Sequence, residues 1–455
     1  EPDMPVRSIT NGVHLDTWVA AEVAALFDEF LGSDWRDRQD DPALWDRILD
    51  IPDERLWEVR QSLRGHLFAF VLERARRSWR LDNVSPAQVV AAGTLLDREA
   101  LTIGFARRIT GYKRPDLIFH DPDRLIRILS VPRRPVQIIF AGKSHPADEG
   151  GKRLIQEIVR FADDPEVRHR IVFLPNYDIE MAQTLYPGCD VWLNNPLRPF
   201  EACGTSGMKA ALNGGLNLSI LDGWWDEWYD GQNGWAIPTA DGVEDPERRD
   251  DIEASALYDL IENSVRVHFY DQNENGLPLH WMELLLHTLE TLGPKVLATR
   301  MVRDYVTELY GPAARAGWSL DGPKFTGARE LAAYKAKVRA SWPSVRVEHV
   351  ESSGVSDSPQ VGDELTVRAY VDLGTLRPDE VRVQVVYGPS SDRDDTIRRP
   401  TVVKLKHTES YEGDRHQFSG TITLTQTGSF GYTVRVLPKH KGMVAASELG
   451  LVANA

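Results

Sequence analysis

Short apolar runs alternate with helical patterns between about residue 96 and residue 220, and this alternation constrains the fold more than any other feature of the sequence. Short buried strands that alternate with helices form a parallel sheet whose two faces are both covered. In such sheets, ligands bind beyond the carboxyl ends of the strands. The sequence therefore predicts an α/β domain with a doubly wound, Rossmann-like parallel sheet, whose strands include residues 101–105, 136–141, 171–174, 191–193 and 216–220.

The segments around these strands have the apolar spacing of amphipathic helices. A short strand-like run at residues 8–14, broken by a turn signal, comes before the first of them. The predicted helices are residues 20–31, 53–79, 151–162 and 179–185, with several more between residues 253 and 305 that close the domain.

A series of alternating strands separated by turn residues follows residue 343. This spacing is typical of an all-β sandwich, and we expect an immunoglobulin-like one. Residues 311–323 are predicted to be a linker because a Gly-Pro pair stands at each end, and residues 328–341 are predicted to form a helix. The predicted strands are residues 344–351, 364–372, 381–387, 401–407, 417–425 and 431–438. We therefore divide the chain into a helical segment (1–92), the Rossmann-like domain (93–312), a linker with a helix (313–342) and the sandwich (343–455).

The chain has 455 residues and a formal net charge of −15, which argues against a nucleic-acid-binding surface and against binding to an anionic membrane. Its two cysteines, Cys189 and Cys203, lack the spacing of a zinc site, so we expect no metal and a reducing, cytoplasmic compartment. No apolar run reaches the length that spans a membrane. Because the chain begins with Glu-Pro-Asp and has no signal peptide, we expect it to be a fragment or a processed product.

Residues 200–215 combine a turn with a strong helix-forming run. Gly204, Thr205 and Gly207 precede Met208 and Lys209, so open backbone N–H groups are expected where the helix begins. Such a helix start attracts anions. Lys209 lies about one turn inside this helix, where burial can remove the charge of its amine and allow it to react with an aldehyde.

Four cations lie in the loop that follows the first predicted strand: Arg107, Arg108, Lys113 and Arg114. Pro115 suits the first turn of a following helix. The loop is therefore either a solvated basic turn or a clamp for an oxyanion. Its place at the carboxyl end of a parallel strand favours the clamp.

The run from Phe200 to Lys209 resembles the pyridoxal-phosphate lysine motif of the α-glucan phosphorylases, which reads Glu-Ala-Ser-Gly-Thr-Ser-Gly-Met-Lys in their short bacterial and archaeal branch. The basic loop resembles that family's Arg-Ile-His-Glu-Tyr-Lys-Arg, with Thr-Gly in place of His-Glu. The resemblance implies that Lys209 carries pyridoxal 5′-phosphate, that Arg108 holds the substrate phosphate and that Lys113 holds the cofactor phosphate. These three residues are the expected catalytic residues.

Other segments add residues to the site that the resemblance implies. The segment Thr-Asn-Gly followed by Trp resembles the family's Thr-Asn-Gly-Ile-Thr-Pro-Arg-Arg-Trp, so Asn11 would bind the glucosyl unit and Trp18 would pack on the cofactor. From the residues alone, Asn11 is a turn residue and Trp18 a core residue. Tyr177 is expected near the cofactor, and Glu201 is expected to accept a hydrogen bond from a sugar hydroxyl. The remaining expected contacts are Arg107, Gly204, Thr205 and Ser206 for the cofactor, and Ala202, Cys203 and Gly204 for the substrate.

The resemblance covers residues 5–310 and implies phosphorolysis of an α-1,4-glucan such as glycogen by inorganic phosphate, which yields α-glucose 1-phosphate with retained configuration. It implies the carboxyl-terminal half of a two-Rossmann-domain, GT-B type glycosyltransferase, homo-oligomeric at full length. The alternatives are a nucleotide-sugar-dependent glucan synthase of the same fold and a non-catalytic carbohydrate-binding protein. Such synthases have a second glutamate eight residues after the first, where this chain has Lys209 after Glu201, and this difference argues against the first alternative.

Overall fold

The computed structural model describes residues 7–81, 96–321, 323–355, 360–390, 396–397, 400–425 and 427–455. The contacts divide the described residues into two compact units, of which the first is Ile9–Arg303 and the second is Asp304–Ala455 together with residues 7–8. The domain boundary that we predicted between residues 92 and 93 lies outside the described residues. Within the described ranges, no helix has both the length and the apolar character needed to cross a membrane.

Six parallel strands of the described part of the first unit form its sheet. They are β1 (Leu101–Arg108), β2 (Val136–Lys143), β3 (Ile171–Pro175), β4 (Val191–Asn194), β5 (Leu216–Ile220) and β6 (Gly234–Ile237). Their order is β3-β2-β1-β4-β5-β6, which is the order of a doubly wound sheet, with its switch point between β1 and β4. The five predicted strands are confirmed, whereas β6 was missed because its four residues include an opening glycine at φ 139°.

Both faces of this sheet are buried. Successive residues of a strand point to opposite faces. In β2, Ile138 and Phe140 enter one apolar cluster, whereas Ile139 and Ala141 enter another. The continuous apolar runs of the sequence therefore have the cause that we expected, which is burial on two sides.

The helices of the first unit precede, connect and follow these strands along the chain. Several begin at an aspartate cap: the Asp148 and Asp178 carboxylates accept hydrogen bonds from the backbone N–H groups of Gly151 and Met181, which stabilises a helix start. The α-helices are α1 (Leu15–Trp18), α2 (Ala21–Phe30), α3 (Pro42–Trp45), α4 (Asp53–Leu81), α5 (Pro122–Leu129), α6 (Glu149–Ala162), α7 (Ile179–Gly188), α8 (Thr205–Ala211), α9 (Trp224–Trp228), α10 (Pro246–Leu260), α11 (Arg266–Tyr270), α12 (Leu279–Leu292) and α13 (Ala298–Asp304). Shorter 3-10 helices span Asp46–Asp50, Gly111–Lys113 and Leu117–Phe119, and a π-helical turn spans Ile261–Val265.

The strand-like run predicted at residues 8–14 is wrong. Of the described residues in this run, only Val13 forms a β-bridge, and its partner is Leu297. The bridge is made by hydrogen bonds from the Val13 N–H to the Val296 carbonyl and from the Ala298 N–H to the Val13 carbonyl. The chain then enters α1 at Leu15. A single bridge suffices here because Gly12 lets the segment approach closely: a Cβ atom at Gly12 would lie 2.2 Å from the carbonyl oxygen of Leu297.

A buried group of charges ties α4 to the sheet. Asp190, just before β4, accepts a hydrogen bond of 2.9 Å from the backbone N–H of Thr102 in β1. The guanidinium groups of Arg60 and Arg64 on α4 lie 3.6 Å and 3.5 Å from its carboxylate. These residues stand at the amino ends of the strands, so the charge network is structural and leaves the carboxyl ends free for a site.

Among its described residues, the second unit contains two four-stranded antiparallel sheets, ordered β10-β9-β13-β14 and β11-β12-β8-β7. Their inner side chains share one apolar cluster with Val338 of the preceding helix. The sandwich prediction is confirmed in this coarse form, and the predicted strand 401–407 is split at Leu405. The strands are β7 (Arg346–Ser353), β8 (Glu364–Asp372), β9 (Val381–Pro389), β10 (Thr401–Lys404), β11 (Lys406–Tyr411), β12 (Arg415–Thr423), β13 (Phe430–Pro438) and β14 (Ala453–Asn454).

The linker predicted at residues 311–323 is wrong, because most of it forms helix α14 (Gly311–Leu320). Gly311 and Pro312 are the first two residues of α14, and the π-helical turn Tyr305–Tyr310 leads directly into them with helical backbone angles. The Gly-Pro pair therefore lies within a continuous helical stretch and does not form a linker. The predicted helix at residues 328–341 is confirmed as α15 (Thr326–Ser341). A π-helical turn spans Tyr305–Tyr310, and 3-10 helices span Pro323–Phe325, Trp342–Ser344, Pro378–Glu380 and Ala446–Leu449.

Candidate active site

A cavity of about 570 Å³ opens beyond the carboxyl ends of β1, β2 and β3. Residues from five places in the sequence meet there, and four of them are predicted site residues: Trp18, Arg108, Tyr177 and Lys209. The full lining is Trp18, Arg108, Lys143, Ser144, His145, Pro146, Tyr177, Asp178, Ile179, Ala182, Tyr186 and Lys209. We call this space the lysine cavity.

Lys209 lies on α8 and is half-buried. Its Nζ atom lies 3.9 Å from the centre of the Trp18 ring and 5.4 Å from that of Tyr186. Among the described residues, no carboxylate forms an ion pair with it, and burial lowers the pKa of its amine, because the charged form loses solvation. The amine therefore becomes neutral, and so nucleophilic, at a lower pH than an exposed lysine.

Tyr186 is a site residue that the sequence analysis missed. Its hydroxyl lies 2.5 Å from that of Tyr177, and its ring meets that of Trp18 edge to face at 5.6 Å between centres. Burial raises the pKa of both tyrosines, so both hydroxyls stay protonated. The helical spacing of Ile179, Ala182 and Tyr186, at positions i, i+3 and i+7, could have predicted that they share one face of α7. All three line the cavity.

The basic loop separates into two environments. Arg107 and Arg108 are neighbours on β1 and point to opposite sides, so Arg107 is buried while Arg108 is exposed in the lysine cavity. The prediction that Pro115 opens a helix is wrong. Pro115 lies in a turn between two short 3-10 helices, after Arg114, whose backbone is left-handed at φ 44° and whose guanidinium binds Asp250 at 2.7 Å.

Lys113 and Arg107 converge on Glu201. The Lys113 amine donates to the Glu201 carboxylate at 2.7 Å, with side chains only 12% and 14% exposed. The Arg107 guanidinium donates from Nη2 to the Asn194 side chain, and its buried Nη1 makes no hydrogen bond within the described residues but lies 3.8 Å from Glu201. Burial lowers the pKa of Arg107. We call Arg107, Lys113, Asn194 and Glu201 the Glu201 cluster.

The loop that carries Glu201 is held from the end of β5. The Asp222 carboxylate accepts hydrogen bonds from the backbone N–H groups of Glu201 and Gly223, both at 3.0 Å. The Trp224 indole donates to the Gly204 carbonyl at 2.9 Å. The predicted contact residues Ala202, Cys203 and Gly204 therefore form a fixed loop, and Thr205 and Ser206 begin α8 directly after it.

Asn11 reaches this loop from the amino-terminal segment. The Arg300 guanidinium donates to the carbonyl oxygens of Thr10 and Asn11 at 2.7 Å and 3.1 Å. Burial raises the pKa of the Cys203 thiol, and hydrogen bonds to Asn11 oppose that shift. The Asn11 side chain is thus close to Cys203, while Cys203 itself has no thiolate character that would make it a nucleophile.

The residues of the lysine cavity fit pyridoxal 5′-phosphate. The cavity has the size of a small-molecule site, which is about 300–1,000 Å³. It has a neutralisable amine for the aldehyde, aromatic walls for the ring and the cations Arg108 and Lys143 for the phosphate. The buried Nη1 of Arg107 makes no hydrogen bond within the described ranges and lies 3.8 Å from the Glu201 carboxylate, so this donor is still available to a bound acceptor.

Comparison with known proteins gives matches along most of the chain. Residues 5–227 match the family model described as carbohydrate phosphorylase, and residues 342–455 match the one described as glycogen phosphorylase C-terminal domain. A glycogen phosphorylase of Mycobacterium tuberculosis is 52% identical over 453 residues, which are 99% of this chain and 52% of that protein. A maltodextrin phosphorylase of Thermococcus litoralis is 37% identical over 456 residues, with 99% and 52% covered. A glycogen phosphorylase of Aquifex aeolicus is 46% identical over 310 residues, with 68% and 44% covered. The chain spans about half the length of these relatives.

Proposed function

We propose that this chain, which belongs to the carbohydrate phosphorylase family, holds pyridoxal 5′-phosphate at Lys209 and serves the phosphorolysis of an α-1,4-glucan to α-glucose 1-phosphate. The family resemblance that we inferred from two short motifs is confirmed by the matches along the chain. The observation that carries the proposal is the half-buried amine of Lys209, which lies against Trp18 in a cavity that also contains Arg108 and Lys143.

The lysine cavity supplies binding and orientation. Trp18, Tyr177 and Tyr186 exclude water from one side of the amine, which keeps it neutral enough to bind an aldehyde. Arg108 and Lys143 neutralise phosphate oxygens at the carboxyl ends of β1 and β2. When it is bound there, pyridoxal 5′-phosphate supplies a phosphate group that can exchange a proton with the substrate phosphate.

The Glu201 cluster serves the sugar side of the reaction. Glu201 accepts a hydrogen bond from a sugar hydroxyl, and Asn11 binds the same glucosyl unit. Lys113 and Arg107 orient the Glu201 carboxylate and place positive charge beside the phosphates. The substrate phosphate protonates the departing glucan oxygen and then attacks the glucosyl carbon from the same face, so the configuration is retained without a carboxylate nucleophile.

Four broader assignments belong to the same proposal. The strand order of the six-stranded sheet and the double length of the relatives support one half of a GT-B arrangement. The two facing antiparallel sheets support an immunoglobulin-like sandwich. The free thiols Cys189 and Cys203 support a reducing, cytoplasmic compartment, and a homo-oligomer rests on the family resemblance.

The direct test is covalent trapping of the cofactor. The purified chain is incubated with pyridoxal 5′-phosphate, its absorption spectrum is recorded before and after borohydride reduction, and the modified peptide is located by mass spectrometry. We expect modification at Lys209 and its loss in Lys209→Ala. The matched control is Lys152→Ala, because Lys152 is an exposed lysine on α6 that pairs with Glu149. Trapping that is unchanged in Lys209→Ala would refute the assignment.

A further inference from the structure

The Asn213 side chain joins the amino-terminal segment to the helix that carries Lys209. Its Oδ1 atom accepts a hydrogen bond from the backbone N–H of Ala20 at 2.7 Å. Its Nδ2 atom donates to the carbonyl oxygens of Trp18 at 2.7 Å and of Lys209 at 2.8 Å. Asn213 is buried. Both N–H donors and the acceptor of the amide are therefore used in one three-way contact.

The two carbonyl groups that Asn213 binds belong to the residues whose side chains meet in the lysine cavity. Trp18 ends α1 and Lys209 lies in α8, so the sequence puts nearly two hundred residues between them. The backbone of Asn213 is itself anchored, because the buried guanidinium of Arg60 donates to its carbonyl oxygen at 2.9 Å. Asn213 thus connects the backbone of Trp18, the backbone of Lys209 and the long helix α4.

We propose that Asn213 is a positioning residue, which holds the Trp18 ring against the Lys209 amine and so fixes where that amine meets an aldehyde. This inference rests on the proposed function and deepens it. The contact requires two N–H donors and one acceptor, and the asparagine amide supplies all three. Aspartate has no N–H to donate, and serine has one donor for two carbonyl oxygens. An alanine would leave these buried groups without partners.

A readout that does not need the cofactor is the reactivity of Lys209 toward acetic anhydride as a function of pH, followed by peptide mass spectrometry. The titratable and charged groups that line the same cavity are Arg108, Lys143, His145, Tyr177, Asp178 and Tyr186, and none of them is changed in the variant. In Asn213→Ala the ring of Trp18 is released, so the amine gains solvent and its pKa rises toward the ordinary lysine value. We expect the labelling midpoint to move to higher pH.

The matched control is Asn233→Ala. Asn233 is also buried, and its side chain donates to the Trp228 carbonyl at 2.9 Å away from the cavity. It therefore loses a comparable buried hydrogen bond without touching Trp18 or Lys209. A shift of the labelling midpoint in Asn213→Ala alone supports the positioning role. No shift, or an equal shift in both variants, overturns it.

The second readout is the dissociation constant of pyridoxal 5′-phosphate. Loss of two hydrogen bonds at the carbonyl groups predicts a constant raised by about ten-fold or more in Asn213→Ala, and an unchanged one in Asn233→Ala. An unchanged constant in Asn213→Ala overturns the inference. If the unmodified chain binds no cofactor but the labelling midpoint still moves, the proposed function fails while the positioning of Lys209 by Asn213 stands.

Discussion

Adjacent residues of β1 have different tasks because successive side chains of a strand point to opposite faces. Arg107 is buried, donates to Asn194 and stands beside Glu201, so its removal changes the packing of the Glu201 cluster. Arg108 is exposed in the lysine cavity, where its charge is free to meet a phosphate. Two arginines that look equivalent in sequence are therefore separable by experiment.

At the scale of single residues, we predict that alanine at Arg108 impairs phosphate binding and that alanine at Arg107 impairs stability. Arg108→Ala should change the free energy of unfolding by less than about 0.5 kcal/mol, yet lower both phosphate affinity and the rate of glucose 1-phosphate release by about 100-fold in a protein that contains this chain. Arg107→Ala should destabilise the fold by about 1–3 kcal/mol, because it removes a buried hydrogen bond. Denaturant unfolding and phosphate-dependent kinetics measure the two effects.

The control for Arg108→Ala is Arg127→Ala, an exposed arginine in the last turn of α5. It removes the same charge from the same unit at a distance from the cavity. If Arg108→Ala keeps the phosphate dependence of the unmodified protein, Arg108 does not bind the substrate phosphate.

At the scale of elements, α8 is held in place by close contacts that leave no space beyond a glycine hydrogen. A Cβ atom at Gly207 would lie 2.3 Å from the side-chain oxygen of Asn217 and 2.9 Å from the Trp224 ring. Asn217 in turn donates to the Gly207 carbonyl at 3.1 Å. The helix that carries Lys209 thus packs on β5 and α9, and its position depends on Gly207, which does not line the lysine cavity.

We predict that Gly207→Ala moves α8 and weakens both stability and cofactor binding. Overpacking of this kind costs about 1–3 kcal/mol in the free energy of unfolding. Urea denaturation and borohydride trapping at Lys209 measure the two effects. Gly150→Ala serves as the control, since Gly150 is an exposed helical glycine whose nearest neighbour would lie 3.4 Å from the new Cβ atom. Equal trapping in both variants would contradict the prediction.

At the scale of the whole molecule, charge and core are distributed unevenly. The chain carries a net charge of −15, yet cations gather at the carboxyl edge of the six-stranded sheet. Low-dielectric walls around such a cluster strengthen its attraction for anions despite the acidic total. The sandwich has an apolar cluster of its own, which includes Leu331 and Val338 of α15, and the Tyr334 hydroxyl donates to the Glu380 carbonyl at 2.8 Å.

Because the buried residues of that cluster all lie between Leu331 and Val436, we predict that residues 326–455 fold when they are expressed separately. The expected result is a cooperative thermal transition with a β-type circular dichroism spectrum and no trapping of pyridoxal 5′-phosphate. Val367→Asp, which places a charge at a fully buried position, should abolish the transition. A non-cooperative profile of the unmodified fragment would contradict the prediction.

Much of the fold and part of the candidate site could be predicted from local sequence patterns. Strands such as residues 216–220 and 364–372 were predicted to the residue, because short apolar or alternating runs bounded by turns have few other uses. The Gly-Pro pair at residue 311 led to the wrong prediction of a linker, since such a pair is found at helix ends and also in the first turn of a helix, as here. The sequence analysis did not single out Tyr186, which is an ordinary residue of α7, or Asn213, which follows α8. Each gains its role only from contacts with residues that are far away in the chain, such as Trp18.

The sequence by itself determined the class of sheet and the family, and it singled out Lys209 as the candidate lysine, since hydrophobic period and a ten-residue motif are local properties. Only the tertiary structure decided which cations line the cavity, which one pairs with Glu201, and how Trp18 comes to lie 3.9 Å from the amine of Lys209. The physical reason is that burial, hydrogen-bond partners and the pKa of an amine depend on the side chains that surround a group in space, and these come from separate parts of the chain.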